Sequence, residues 1–403
     1  MKTVGIIAEY NPFHNGHKYL IEKARAETNA DNVIILSSGN FVQRGEPAIF
    51  DKYTRSEVAI NNGADVVFEL PVVYSTASAE LFAYASVKFM DDLNVVDYLC
   101  FGCELNDIDS LSKIAEVLTN EPIEYKEALL KHSKAGLSFP KARSLSLCDY
   151  FKKSNINIDA EAILSTPNNI LAIEYLKALK KLNSNIIPMP IKRIGGGYSS
   201  TEINCEYVSA TAIRNQISNN NSYENLLESD IFNFYKDKRP IFMSDFNQIL
   251  SYRLSRCNLE DIFDINEDLA NRILNNISSY TNIDKFISQL QSKNYTYSAI
   301  SRAMIHVLLG IKSKDINEFK ENGCHFYARI LALSSESNIL SQIKKNGDLE
   351  LISKFSTYYQ QASGLRRKML DISLNADMLY QQIYMTKYNH IIPNEFNEQI
   401  RKI

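Results

Sequence analysis

No apolar run in this chain of 403 residues approaches the roughly 20 residues needed to span a bilayer, so no membrane-spanning helix is predicted. The first apolar stretch, Val4 to Ala8, is broken by Glu9 and Asn11 with no cleavage-site pattern behind it, which predicts a cytoplasmic protein. Cysteine is scarce: Cys100, Cys103, Cys148, Cys205, Cys257 and Cys324 are too few and too irregularly spaced for a disulfide framework and are expected to be reduced. The single C-x-x-C, Cys100 and Cys103, has no second pair or nearby histidines, so no protein-held metal is predicted. Nor is there an excess of positive charge. The net charge of −3 gives no global sign of nucleic-acid binding, although a slight basic surplus from Arg239 onward leaves room for a local basic face. No internal repeat is evident.

What is present is 45% hydrophobic residues, ample for a packed core in a chain longer than one ordinary domain. The first half alternates short β-branched runs with helical patterns, the mark of an α/β fold with a Rossmann-like parallel sheet. Strands are predicted at Val4 to Ala8, Val33 to Leu36, Val66 to Leu70 and Tyr98 to Phe101, with helices at Gly16 to Glu27, Lys52 to Asn62 and Ala79 to Leu93 between them. A helical insertion follows at about 110–164, then a helix opened by Pro167, a fifth strand at Ile186 to Met189, and a helix N-capped by Ser209. Beyond Pro240 amphipathic helical patterns dominate, as in Ser298 to Leu309 and Tyr327 to Leu333. The expected organisation is therefore a nucleotide-binding domain over 1–222 and a mainly α-helical domain over 223–403.

Two of only six histidines sit where the first strand hands over to a helix, in Glu9-Tyr10-Asn11-Pro12-Phe13-His14-Asn15-Gly16-His17-Lys18-Tyr19-Leu20. Ligands of open α/β sheets bind at the carboxyl ends of the strands, where a helix N-terminus offers unpaired N–H groups and partial positive charge to a phosphate. Gly16 lets backbone approach a ligand, and Pro12 stiffens the turn. An imidazole there can donate a hydrogen bond to a phosphate oxygen as charge builds up. The plainer alternative leaves His14 at a loop end and His17 in solvent; the pair bracketing a glycine at this turn favours the phosphate reading.

Asn11 to His17 resembles the H-x-G-H motif of the nucleotidylyltransferase superfamily. Cys100-Phe101-Gly102-Cys103-Glu104 resembles its F-G-S-E segment, with Cys103 in place of serine, and Val208-Ser209-Ala210-Thr211-Ala212-Ile213-Arg214 its I-S-x-T-x-I-R segment. Further stretches, "SSGNFVQRGEPAIFDKYTR", "KAGLSFPKAR", "STPNNILAIEYLKAL", "IKRIGGGYSS", "YTYSAISRAMIHVLLG" and "ASGLRRKML", are similar to segments of the bacterial tRNA(Met) cytidine acetate ligase family. The likeness covers nearly the whole chain. It implies an ATP-dependent ligase that activates acetate as acetyl-adenylate, releases pyrophosphate, and acetylates N4 of the wobble cytidine of elongator tRNA(Met), with Mg²⁺ accompanying the ATP phosphates.

Carried over by matching position, the resemblance implies His14 and His17 as catalytic residues. The implied ATP site comprises Ile7, Ala8, Glu9, Tyr10, Asn11, Pro12, Phe13, His14, Asn15, Gly16, His17, Lys18, Tyr19 and Leu20, then Gly102, Asn168 or Asn169, Arg193, and Ser209, Thr211 and Arg214 at the phosphate end. Alternatives stand beside these roles: an Asn after Pro167 also suits a helix cap, Arg193 a surface ion pair, and Ser209 an ordinary N-cap. Lys344, Lys345, Arg366, Arg367 and Lys368, with Phe355, Tyr358 and Tyr359 between them, are candidates for tRNA phosphates and bases; a solvated helix face over buried aromatics is the alternative. Two competing functions remain open at this level. One is a nucleotidylyltransferase acting on a small phosphorylated cofactor precursor, and the other is a non-catalytic RNA-binding adaptor.

Overall fold

The computed structural model describes residues 1–194 and 207–403; Cys205 and the Gly195 to Gly197 run after Arg193 lie outside the described residues. Ten strands follow in chain order: β1 Thr3–Ala8, β2 Asn32–Ser38, β3 Phe41–Val42, β4 Glu46–Pro47, β5 Val66–Leu70, β6 Tyr98–Cys103, β7 Ile187–Lys192, β8 Ala328–Leu333, β9 Leu351–Ile352 and β10 Arg401–Lys402. The main sheet runs β10-β8-β5-β2-β1-β6-β7, with β9 also paired to β8, while β3 and β4 form a separate hairpin. The five strands from β5 to β7 in that order are parallel, as the alternating pattern predicts. The helices Asn15–Thr28, Lys52–Asn61, Ala79–Asp92 and Pro167–Leu182 lie between them in sequence, and further helices occupy 108–120, 123–134, 139–153 and 160–163.

β2 explains why these strands read as unbroken apolar runs. Ile34 and Leu36 enter one core and Val33 and Ile35 the other, because successive side chains point to opposite faces and both faces are covered. The structure departs from the sequence reading at Tyr327 to Leu333, predicted as part of an amphipathic helix. Residues 328–333 are instead β8, antiparallel to β5, with Ile330 in one core and Leu331 and Ala332 in the other. A short, mainly apolar stretch does not distinguish a buried strand from a helix by its period, and here the open edge of β5 decides. The second half is mainly helical, yet it contributes β8, β9 and β10 to the sheet that carries the first half. The five described cysteines are free thiols, and no helix among the described residues is long and apolar enough to cross a membrane.

Charge, as well as oil, joins the halves. Lys52, wholly buried, has Nζ 2.8 Å from Glu69, 2.5 Å from Asp377 and 3.1 Å from Glu395. Arg329 on β8 lies 3.1 Å from Glu69 and 3.6 Å from Asp377, and also pairs with Glu395. Burial and the neighbouring Glu395 charge raise the Asp377 carboxyl to about 8. Glu395, against the pull of its own burial, is held down at about 2 by Lys52 and Arg329. The two cations thus hold Glu395 in its charged form while burial and crowding by acidic neighbours favour the neutral form of Asp377, the balance that makes such a cluster tolerable in a core.

Candidate active site

The turn between β1 and the Asn15–Thr28 helix is fixed by groups from far along the chain. The N–H of Phe13 donates to the Tyr235 hydroxyl at 3.1 Å, Arg214 Nη1 donates to the Asn11 carbonyl at 2.7 Å, and the N–H of Ile49 donates to Asn11 Oδ1 at 2.8 Å. Fully buried Arg55 donates to the carbonyls of Glu9, Gly39, Phe50 and Ser38, tying the carboxyl ends of β1 and β2 together. Tyr10 takes a left-handed conformation, φ 50°, and its ring meets those of Phe13 and His17 edge-on at 4.8 and 4.9 Å. Local sequence and remote braces together aim this turn.

His14 is the N-cap of the helix. Its Nδ1 accepts the N–H of Gly16 at 3.0 Å, and His17 Nδ1 accepts the N–H of His14 at 3.2 Å. A ring nitrogen that accepts carries no proton, so in both neutral rings Nε2 holds it and is left as a donor. The rings lie 3.8 Å apart between centroids. Burial, followed by the charges of Arg193 and Arg214, lowers His14 to about 3, and burial, His14 and Arg193 lower His17 well below its ordinary value. The pair therefore presents neutral N–H donors at physiological pH.

These donors face a small chamber on which two helix N-termini converge. The second belongs to the Ala210–Ser218 helix, whose N-cap Ser209 accepts the N–H of Ala212 at 3.1 Å. Besides the histidines, Arg44, Arg193, Thr211 and Arg214 line the chamber. Three guanidinium groups and two helix N-termini make an anion site suited to a chain of phosphates. Glu9 also lines it; burial raises its carboxyl against the pull of Arg44, and it accepts the N–H of Gln43 at 2.7 Å.

A longer cavity continues from the chamber along the ends of β1, β6 and β7. Ile7, Ala8, Glu9, His14, Gly16, His17, Tyr19 and Leu20 line it on one side, and Gly102, Asn168, Arg193 and Ser209 on the other. At Gly102 an added Cβ would lie 3.2 Å from Arg193 Cγ, so the missing side chain is what lets Arg193 cross the strand end. The two asparagines after Pro167 divide the work. Asn168 lines the cavity and donates to Glu104 at 2.6 Å, while Asn169 Oδ1 accepts the N–H groups of Glu104 and Leu105, both at 3.1 Å.

Other members of the expected site face elsewhere. Phe13 is wholly buried, Asn15 Oδ1 accepts the N–H of Glu228 at 2.9 Å, and Lys18 pairs with Glu228 at 2.5 Å. Tyr10 and Asn11 border the phosphate chamber only, and Pro12 lines neither space, its peptide with Asn11 being cis. Sequence reasoning did not single out Gln43, Arg44, Tyr175 or Tyr207, all of which line these spaces. The "NFVQRGEP" stretch held the available signal for the first two.

The distal basic positions do not reach the chamber. Arg366 pairs with Glu350 at 2.7 Å, Arg367 with Asp371 at 2.9 Å, and Lys368 with Asp315 and Glu318 at 2.7 and 2.6 Å. Arg367 also stacks over Tyr359, 3.6 Å from the ring centroid. Lys344 and Lys345 end the Ile339–Asn346 helix, exposed and without an ion-pair partner among the described residues. Nor do the described residues hold a group of three or more His, Cys, Asp or Glu side chains that would cage a metal ion.

Comparison with known proteins gives this geometry a context. The family described as HIGH Nucleotidyl Transferase matches residues 1–394. The chain is 42% identical over 396 residues to a protein of Thermoanaerobacter sp. (strain X514), covering 95% of this chain and 96% of that one, and named tRNA(Met) cytidine acetate ligase. A protein of Clostridium tetani with the same name is 37% identical, covering 95% of each chain. Among solved structures, Thermotoga maritima TmcAL is similar over 100% of both chains at 31% identity. The TM-score is 0.92 for its apo form and 0.90 for the form bound with alpha-thio ATP.

Proposed function

The chain belongs to the tRNA(Met) cytidine acetate ligase family of HIGH nucleotidyl transferases, and we propose that it activates acetate with ATP and acetylates N4 of the wobble cytidine of elongator tRNA(Met). The observation that carries the reading is the pair of neutral imidazoles, each with Nδ1 occupied by a backbone N–H, at a chamber ringed by arginines and two helix N-termini.

In the first step a carboxylate oxygen of acetate forms a bond to the α-phosphorus of ATP, and the bond from that phosphorus to the bridging oxygen breaks. Pyrophosphate leaves with the electron pair. The Nε2–H groups of His14 and His17 donate to the oxygens on which charge grows, and Arg44, Arg193 and Arg214 hold the departing anion. The nucleoside lies along the cavity over Gly102 and Asn168. Mg²⁺ accompanying the nucleotide would add to the neutralisation of phosphate charge that Arg44, Arg193 and Arg214 supply from the chamber wall. In the second step the cytosine N4 lone pair forms a C–N bond to the acetyl carbon. The C–O bond to phosphate breaks, AMP departs with its electrons, and N4 loses a proton. The base must be unstacked to be reached.

Mass spectrometry of nucleosides from tRNA incubated with the protein, ATP and isotopically labelled acetate tests the reading. Labelled N4-acetylcytidine is the expected product; unmodified tRNA alongside active turnover of a phosphorylated small molecule would overturn it.

A further inference from the structure

A second cleft opens beside the phosphate chamber, between the two halves of the chain. Gln43, Arg44 and Glu46 of the β3–β4 hairpin line it on one side, and Phe242, Tyr297 and Arg302 of the second half on the other, with Asp284 alongside. Arg44, Thr211 and Arg214 border both this cleft and the phosphate chamber, and Gln43 borders both the cleft and the nucleotide cavity. A group held in the cleft therefore adjoins the position at which an acyl-adenylate forms.

The hairpin wall is held firmly. Gly45 has φ +80°, and a Cβ there would lie 2.3 Å from the backbone nitrogen of Arg302, so only glycine lets the hairpin sit against the Tyr297–Leu309 helix. Ser301 Oγ donates to the Gly45 carbonyl at 2.7 Å. Across from it stand groups whose chemistry the nucleotide site does not use. Tyr297 is 41% exposed, and its hydroxyl donates to Asp284 Oδ1 at 3.0 Å. Arg302 is largely enclosed, its Nε has no hydrogen-bond partner, and its nearest carboxylate, Asp264, is 3.9 Å away.

We propose that this cleft is the acceptor-base pocket, taking one unstacked cytosine from single-stranded RNA; the proposal rests on the acetyl-transfer reading above. Cytosine offers a flat face, two acceptors at O2 and N3, and one amine donor at N4. Tyr297 and Phe242 supply stacking surface, Arg302 the donor for O2 or N3, and Asp284 the acceptor for an N4 hydrogen. The site lies on the seam of the two halves because one half makes the adenylate and the other presents the base.

The test uses full-length protein and a tRNA transcript carrying the target cytidine, with Tyr297→Ala, Tyr297→Phe and Asp284→Asn. Acetylation and acetate-dependent ATP–pyrophosphate exchange are measured separately. Tyr297→Ala is expected to raise KM for tRNA by about tenfold or more, the loss of one stacked base, whereas Tyr297→Phe stays within about threefold. Asp284→Asn lowers kcat/KM for tRNA by about tenfold. Exchange, which needs no RNA, remains at the wild-type level in all three, and this also reports that the variants are folded. A fluorescent cytosine analogue at the target position should change intensity on binding wild type and Tyr297→Phe, and stay unchanged with Tyr297→Ala. Wild-type KM and an unaltered fluorescence change in Tyr297→Ala would overturn the assignment, as would parallel loss of exchange or a raised KM for acetate, which would make the cleft part of the adenylation site. Failure of the wild-type protein to acetylate tRNA at all would instead overturn the functional reading on which this pocket rests.

Discussion

Around His14 and His17 the cations border a chamber with Glu9 as the acidic group on its wall, whereas around Lys52 and Arg329 they are enclosed by carboxylates. The two regions adjoin, for Arg55 and Lys52 lie on the same helix: Arg55 spends its donors on carbonyls that shape the turn, and Lys52 spends its own on Glu69, Asp377 and Glu395. Of the chamber's cations, Arg214 has one partly exposed acidic neighbour, Glu46 at 3.3 Å. Positive charge enclosed by carboxylates holds the fold, and positive charge that borders a cavity is accessible to a polyanion.

The comparison breaks first at Lys52. Lys52→Met leaves Glu69, Asp377 and Glu395 with Arg329 as their one remaining cation, and unfolding measurements should register a loss of about 3–5 kcal/mol, the cost of removing one partner from a buried ion pair. Exchange per folded molecule should stay near wild type. His14→Ala and His17→Ala should do the reverse, each lowering acetate-dependent exchange by about 10²-fold or more with little change in melting temperature.

Asp377→Asn sharpens the contrast by removing a titration while keeping a neutral side chain. A carboxyl raised to about 8 in the fold contributes stability that is complete below its unfolded value, about 4, and is lost as pH rises through about 8. The wild-type protein should therefore lose more stability than Asp377→Asn between those limits in urea titrations at stepped pH. The smallest effects belong to the surface. Neutralising Arg366, Arg367 and Lys368 together, all already beside carboxylates, should lower the salt slope of tRNA binding less than neutralising Lys344 and Lys345, where each lost phosphate contact removes about one unit of slope.

The strand-to-helix turn was legible because its chemistry is local: a histidine pair, a glycine and a helix N-terminus fall within four residues. The parallel strands were legible for the same reason, each announcing itself by its own apolar run. Tyr235, whose hydroxyl accepts from Phe13 across 222 residues of sequence, announces nothing, and neither do Arg329, Asp377 and Glu395, whose roles exist only once β8 pairs with β5. Asn168 and Asn169 were inseparable by type and position, and hydrogen bonds to the 104–105 backbone distinguish them. The segment around Lys52 and Arg55 stood out as a resemblance, but its division into a brace and a charge cluster depends on burial.

The most direct test is acetate-dependent exchange of labelled pyrophosphate into ATP, without RNA, between about pH 8 and pH 6, in wild type and His14→Ala. With His14 lowered to about 3 and His17 well below its ordinary value, both rings stay neutral across that window, so wild-type exchange should require acetate and follow the same pH profile as His14→Ala, set by the ionisation of the substrate phosphates. His14→Ala should be slower by a constant factor throughout. Exchange that is absent with acetate, or that follows a wild-type titration near 6.5 abolished in His14→Ala, would contradict the account.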